Sequence, residues 1–121
     1  MLNPTSTFLT IQAQFKILHW QTQSYAKHKA YGEIYEALDG LIDTFMEVYM
    51  GKYGRPQLTE CDEIKISNLG EIKVDDFLNT IIEFLCSFNE FFQEPKDSDL
   101  LNIRDEMMAE VNKLKYLITL R

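Results

Sequence analysis

The sequence has few cysteines, no long apolar run and no basic leader, and each shortage excludes a class of protein. The 2 cysteines, Cys61 and Cys86, lie outside any C-x-x-C motif, so we expect a reducing compartment with neither a disulfide framework nor a cysteine zinc cluster. No apolar run approaches the roughly 20 residues that span a bilayer. The first residues, MLNPTSTF, lack the basic and apolar segments of a secretory signal. The expected location is the cytoplasm, without a membrane partner.

Basic residues are also in deficit. The chain has 12 Lys and Arg against 19 Asp and Glu, which gives a formal net charge of −7 at pH 7. Binding to nucleic acid requires clustered basic side chains that neutralise phosphates, whereas the basic residues here are scattered. We therefore expect no direct binding to nucleic acid.

Apolar residues recur at three and four positions in four segments, which is the spacing of amphipathic helices. The chain is long enough for one core but not two, so residues 1–121 are predicted to form a single domain. The third helix is predicted over residues 74–92. An aperiodic segment of roughly twenty residues precedes it, long enough to return along a bundle. The predicted fold is therefore all-α, a ferritin-like four-helix bundle with a long crossover between helices two and three.

The second helix carries spaced acidic residues on one side. On a helical wheel its apolar stripe is centred near Leu38 and Phe45, and Asp43 and Glu47 fall almost opposite that centre. The pair should therefore face water or another subunit. A solvated acidic face is the usual meaning of such spacing. Two carboxylates one turn apart can also bind a cation.

The two histidines are the candidate nitrogen ligands of such a cation. His19 flanks the apolar stripe of the first helix, and Trp20 beside it is interpreted as a packing residue. The Glu-x-x-His motif of ordinary di-iron bundles is absent, because Lys16 and Tyr25 stand three residues before His19 and His28. The H-E-x-x-H motif of zinc hydrolases is absent as well. A metal site would therefore have to be completed across an oligomer interface.

The order and spacing of these residues resemble the Dps-type mini-ferritins of the ferritin-like superfamily. The first half of the chain holds the matching residues: His19-Trp20, His28, Tyr35 and Asp43-x-x-x-Glu47. The resemblance implies a homo-oligomer, commonly a dodecamer, with metal sites shared between subunits. In such a site His19 and His28 of one subunit face Asp43 and Glu47 of its neighbour.

The implied function is a ferroxidase that oxidises Fe(II) with peroxide or oxygen, with zinc or manganese as alternative metals. At Gly32 the family has a ligand aspartate, so Gly32→Asp is expected to restore a carboxylate. Replacing this glycine inside a helix is also expected to add up to about 0.5 kcal/mol of stability. The alternative function is a non-catalytic ferritin-like helical oligomerisation scaffold that has lost iron chemistry.

Overall fold

The computed structural model describes residues 3–120, and within them the chain forms α-helices and short 3-10 turns but no strand. The all-α class predicted from the sequence is therefore confirmed. The main helices, numbered in chain order, are α1 (Thr5–Gln21), α2 (Tyr25–Tyr53), α3 (Val74–Cys86) and α4 (Ser98–Leu117). Within the described residues, no helix combines the length and apolar character needed to cross a bilayer.

Local chemistry sets the ends of α2 and α3. The Ser24 hydroxyl accepts a hydrogen bond from the backbone N–H of Lys27 and so caps the start of α2. Gly54 caps the end of α2, and its φ of 84° suits a residue without a side chain. α3 is shorter than predicted: the Ser87 hydroxyl donates to the carbonyl of Phe84 at 2.5 Å, and the chain continues as a 3-10 turn. Such local side-chain bonds compete with the regular helix.

The helices pack as a bundle in which α1 and α2 point in opposite directions, joined by residues 22–24. α3 is antiparallel to α1, because Phe8 near the start of α1 lies 5.6 Å from Phe84 near the end of α3, measured between ring centroids. α4 is antiparallel to α2, since Lys52 at the end of α2 forms a 3.2 Å ion pair with Asp99 at the start of α4. α2 and α3 are therefore parallel, and the chain must return along the bundle between them.

Residues 54–73 make this return along the outside of α1, held by two glutamines. The buried Gln14 amide donates to the carbonyl of Ser67 at 2.9 Å and accepts from its N–H at 2.8 Å. One end of the Gln21 amide likewise accepts from the N–H of Leu69 at 2.7 Å. These bonds satisfy backbone groups of a segment that has little regular structure of its own.

The core between the helices is rich in aromatic rings. Phe8, Phe45 and Phe88 are all buried, and their centroids are separated by 5.3 to 6.0 Å. Phe8 meets Phe45 and Phe88 edge-on, and aromatic pairs of this kind contribute about 0.5–1.5 kcal/mol each beyond the burial of their area. Phe8, Phe45 and Phe88 thus form part of the hydrophobic core.

A buried carboxylate joins the far end of α2 to the start of α4. Asp97 is 3% exposed and accepts hydrogen bonds from the hydroxyl of Tyr53 and the N–H of Gln93. Burial raises the pKa of Asp97, but these bonds and the nearby charges of Lys52 and Lys96 outweigh it and hold the pKa below its usual value. The bond to Asp97 in turn raises the pKa of Tyr53 to about 12.

The two hydrogen bonds between the Gln14 amide and the Ser67 backbone should be a main anchor of the crossover. Gln14→Ala removes both bonds to Ser67, so we expect a loss of about 1–3 kcal/mol in the free energy of unfolding. Urea denaturation measures that loss, and hydrogen exchange should show faster exchange of the Ser67 amide. Gln12→Ala is the matched control, because among the described residues the Gln12 amide bonds only to the exposed Asp39. It should change stability by no more than about 0.5 kcal/mol, and equal losses in the two variants would contradict the anchoring role.

Candidate metal site

The two histidines lie face to face where α1 and α2 join. Their ring centroids are 3.9 Å apart and their planes differ by 16°. The Nδ1 atom of His19 lies 2.7 Å from the backbone carbonyl oxygen of His28, and the Nδ1 atom of His28 lies 2.7 Å from that of His19. A carbonyl only accepts, so each Nδ1 must carry the proton and donate it. In the neutral ring the lone pair is then on Nε2.

This arrangement prepares both rings for metal binding. Histidines that bind metals commonly donate their second ring N–H to a carbonyl or carboxylate, which fixes the tautomer and the ring orientation. Here His19 and His28 do so reciprocally. Neither Nε2 atom has a hydrogen-bond partner within residues 3–120. Both nitrogen donors are therefore available to a ligand.

Gly32 provides the space that the ring of His19 occupies. A Cβ atom at position 32 would lie 2.9 Å from Cε1 and 3.0 Å from Nδ1 of His19. A side chain there therefore requires the ring of His19 to shift. This shift opposes the stability gain expected for Gly32→Asp, and the restored carboxylate ligand stays a prediction.

Asp43 and Glu47 are exposed on α2, as the helical wheel predicts. A hydrogen bond with Asp43, together with the charge of Asp43, raises the pKa of Glu47. The negative charge of Asp43 thus disfavours the ionised form of Glu47. A cation that binds the pair competes with protonation of Glu47, so the affinity for the cation should rise with pH.

The two pairs cannot meet within one subunit. A helix rises about 1.5 Å per residue, so His28 and Asp43 are separated by about 22 Å along α2. In the described part of the chain, no group of three or more His, Cys, Asp and Glu side chains is placed to hold a metal ion. The structure thus brings His19 to His28 and Asp43 to Glu47, and keeps the two pairs apart.

The surface beside the histidines contains aromatic residues that the sequence did not lead us to expect there. Trp20 is 65% exposed, so its interpretation as a packing residue is wrong. Leu18 points into the core, and two helical positions later the chain has turned about 200°, which directs Trp20 outward. The ammonium group of Lys16 lies 5.6 Å from the Trp20 ring and 4.4 Å from the ring of Tyr35. The spacing of the apolar residues of α1 identifies its buried face, and Trp20 lies outside that face. This signal in the sequence could have predicted that Trp20 is exposed.

The close fit at Gly32 gives a direct test of the histidine pair. Gly32→Ala should separate the rings, so NMR should show changed imidazole signals for His19 and His28. The helix gains about 1 kcal/mol when alanine replaces an interior glycine, but here we expect the displaced ring to offset that gain. Gly40→Ala is the matched control on α2, because a Cβ at position 40 meets no atom within 4 Å. It should stabilise the protein and leave the imidazole signals unchanged, and identical behaviour of the two variants would refute the role given to Gly32.

Comparison with known proteins identifies a family but not an activity. Residues 19–118 match a family of unknown function, DUF5856. The chain is also similar to an uncharacterized 14.6 kDa protein in the mobD-ri intergenic region of Enterobacteria phage T4. The two are 30% identical over 115 residues, which cover 93% of this chain and 82% of the phage protein. No solved structure matches the chain.

These matches overturn the assignment to the Dps-type mini-ferritins, because the matching family is a different one and has no established function. The structure supplies a physical reason for the error. A few residues at similar intervals carried the resemblance, whereas a Cβ at position 32, the position of the expected ligand aspartate, would lie 2.9 Å from Cε1 of His19. The chain belongs to the family of unknown function DUF5856.

Proposed function

We propose that this protein binds a divalent metal ion, foremost Fe(II), between two copies of the chain. His19 and His28 of one copy and Asp43 and Glu47 of the other are the proposed ligands. The observation that carries the proposal is the reciprocal hydrogen bonding of the imidazoles, which holds both rings and leaves both Nε2 atoms without a partner among residues 3–120. Imidazole and carboxylate donors together suit iron, zinc and manganese.

The arrangement of the helices supports a ferritin-like bundle as the scaffold of this site. An antiparallel pair, a long crossover and a second antiparallel pair is the connectivity of ferritin-like folds, whereas simple bundles have short loops throughout. This part of the proposal rests on analogy of architecture. The choice of metal rests on the donor atoms.

The charge on α2 explains why a metal would be needed to join two copies. The outward face of α2 carries five exposed acidic residues: Glu33, Glu36, Asp39, Asp43 and Glu47. In a two-fold pairing each copy presents the same surface, so these faces repel each other. With α2 antiparallel to its counterpart, the histidine end of one copy meets the carboxylate end of the other. Cations bound there would offset the repulsion.

The proposed chemistry is the oxidation of Fe(II). Two Fe(II) ions give up one electron each, and one hydrogen peroxide molecule takes up both electrons and two protons from solvent and leaves as two water molecules. Carboxylates favour the more highly charged Fe(III) as it forms, while the imidazoles hold the ion in place. Oxygen is the alternative oxidant. Asp43 and Glu47 thus stabilise the product charge, and His19 and His28 position the substrate ion.

Mixing two defective variants tests whether the site is shared. Zinc serves as a probe that does not undergo oxidation. Wild-type protein should bind zinc and reach at least twice the monomer mass of 14.2 kDa in sedimentation, whereas His28→Ala and Glu47→Ala should each lose both responses. An equal mixture of the two variants should regain zinc binding, up to half of the wild-type amount, because each mixed dimer contains one intact site. If the mixture binds no more zinc than the separate variants, the site is not shared.

Iron oxidation tests the activity itself. Wild-type protein should oxidise Fe(II) with added peroxide faster than buffer alone, measured by absorbance after anaerobic loading. Glu47→Ala should reduce the rate to the buffer level while changing stability by no more than about 0.5 kcal/mol, since the side chain is exposed and outside the core. Glu83→Ala removes an exposed acid from α3 and should leave the rate unchanged. A wild-type rate equal to that of buffer would remove the ferroxidase activity from the proposal.

One observation favours a second candidate, a non-catalytic helical scaffold. Within the described residues no complete metal-binding cluster is present, and the paired imidazoles join α1 to α2 through their backbone bonds without any metal. In this alternative the histidine pair serves only to hold α1 against α2. His28→Ala would then lower the unfolding temperature in metal-free protein, while zinc would neither bind to nor stabilise the wild type.

A further inference from the structure

A separate cleft lies at the end of the bundle where the α1–α2 junction, the start of α3 and the end of α4 meet. Its volume is about 580 Å³, within the range of sites that hold small molecules. None of the four proposed metal ligands lines it. The ionisable residues that do so are Lys27, Tyr31, Lys73, Asp75, Asp76 and Lys115.

Tyr31 is the feature that points to a ligand. Its side chain is 2% exposed and lines the cleft, and its hydroxyl has no hydrogen-bond partner among residues 3–120. The hydroxyl is not among the fully buried unpaired polar atoms of the described residues, so it opens on the cleft, where an acceptor can reach it. Burial and then the negative charge of Asp75 raise the pKa of Tyr31, so the hydroxyl keeps its proton and can donate it.

The cleft combines this donor with positive charge. Neither Lys27 nor Lys73 forms an ion pair with a described residue, and the ammonium group of Lys115 is held at 2.6 Å by the side-chain oxygen of Asn79. Three lysines face two aspartates, Asp75 and Asp76, so the charge of the lining is positive on balance. A cation would be repelled, whereas an anion would be attracted.

The start of α3 adds backbone donors. Lys73 at the N-cap makes no side-chain capping bond, so the N–H groups of Val74, Asp75 and Asp76 have no capping acceptor among the described residues. All three residues line the cleft. Unpaired N–H groups at a helix start favour phosphate and other anions.

We propose that this cleft binds the phosphate group of a small molecule. The ammonium groups of Lys27, Lys73 and Lys115 neutralise the phosphate, and the hydroxyl of Tyr31 donates a hydrogen bond to one of its oxygens. The volume exceeds what one phosphate group needs, which leaves room for an organic part. The site is independent of the proposed metal site and can be tested without metal.

NMR titration of the whole protein gives the test, with inorganic phosphate in one arm and adenosine monophosphate in the other. Sodium chloride at matched ionic strength shows the effect of salt alone. We expect saturable shifts in the amide signals of residues 74–76. Tyr31→Phe should weaken binding about tenfold, the size of a hydrogen bond to a charged group, and Lys73→Ala should weaken it similarly. Lys113→Ala is the matched control, because this exposed lysine of α4 lies outside the cleft.

The outcomes distinguish specific binding of phosphate in the cleft from non-specific attraction of anions to lysine side chains. Tighter binding of adenosine monophosphate identifies a phosphate ester as the ligand class, and equal binding identifies phosphate itself; both support the proposal. Shifts that match those with chloride, or an equal loss in Lys113→Ala and Lys73→Ala, overturn it. Tyr31→Phe breaks no bond within the described protein, so its unfolding temperature should be unchanged. If Tyr31→Phe is unfolded, Lys73→Ala provides the test instead, because Lys73 is exposed.

Discussion

The approach of α1 to α2 at their junction is the constraint on which the rest of the structure depends. Two imidazole rings stack there, and each donates to the backbone carbonyl of the other residue. This geometry requires a position without a side chain at Gly32, which faces the ring of His19. A short connection of three residues and a pair of reciprocal bonds thus fix the angle and register of the first two helices. That register determines which phenylalanines meet in the core and which acidic residues face solvent.

The same register separates two surfaces with different chemistry on the first turns of α2. His28 lies against His19, whereas Lys27 and Tyr31 line the cleft at the end of the bundle. Further along α2 the exposed acids form a negative face that repels a second copy of itself. The protein therefore combines a fixed pair of nitrogen donors, a cleft of positive balance and an acidic face on one long helix and its neighbours.

Periodicity in the sequence predicted much of the fold because the apolar stripes are strong and uninterrupted. It predicted that Phe45 is buried and that Asp43 and Glu47 are exposed, and the structure confirms these positions. It did not identify Gln14, since a buried glutamine reads as a surface residue until the Ser67 backbone is seen against it. The family resemblance was wrong because a few residues at matching intervals do not specify the space around them.

The sequence by itself determined the all-α class, the apolar faces of the helices and the outward direction of the acidic pair, because a helix repeats every 3.6 residues and fixes which side chains share a face. Only the tertiary structure decided that His19 and His28 stack, that the imidazole of His19 lies against Gly32, and that the hydroxyl of Tyr31 has no partner among residues 3–120. Those facts depend on distances between separate helices. Such distances are set by packing and by the hydrogen bonds of the connections, which no spacing within one helix encodes.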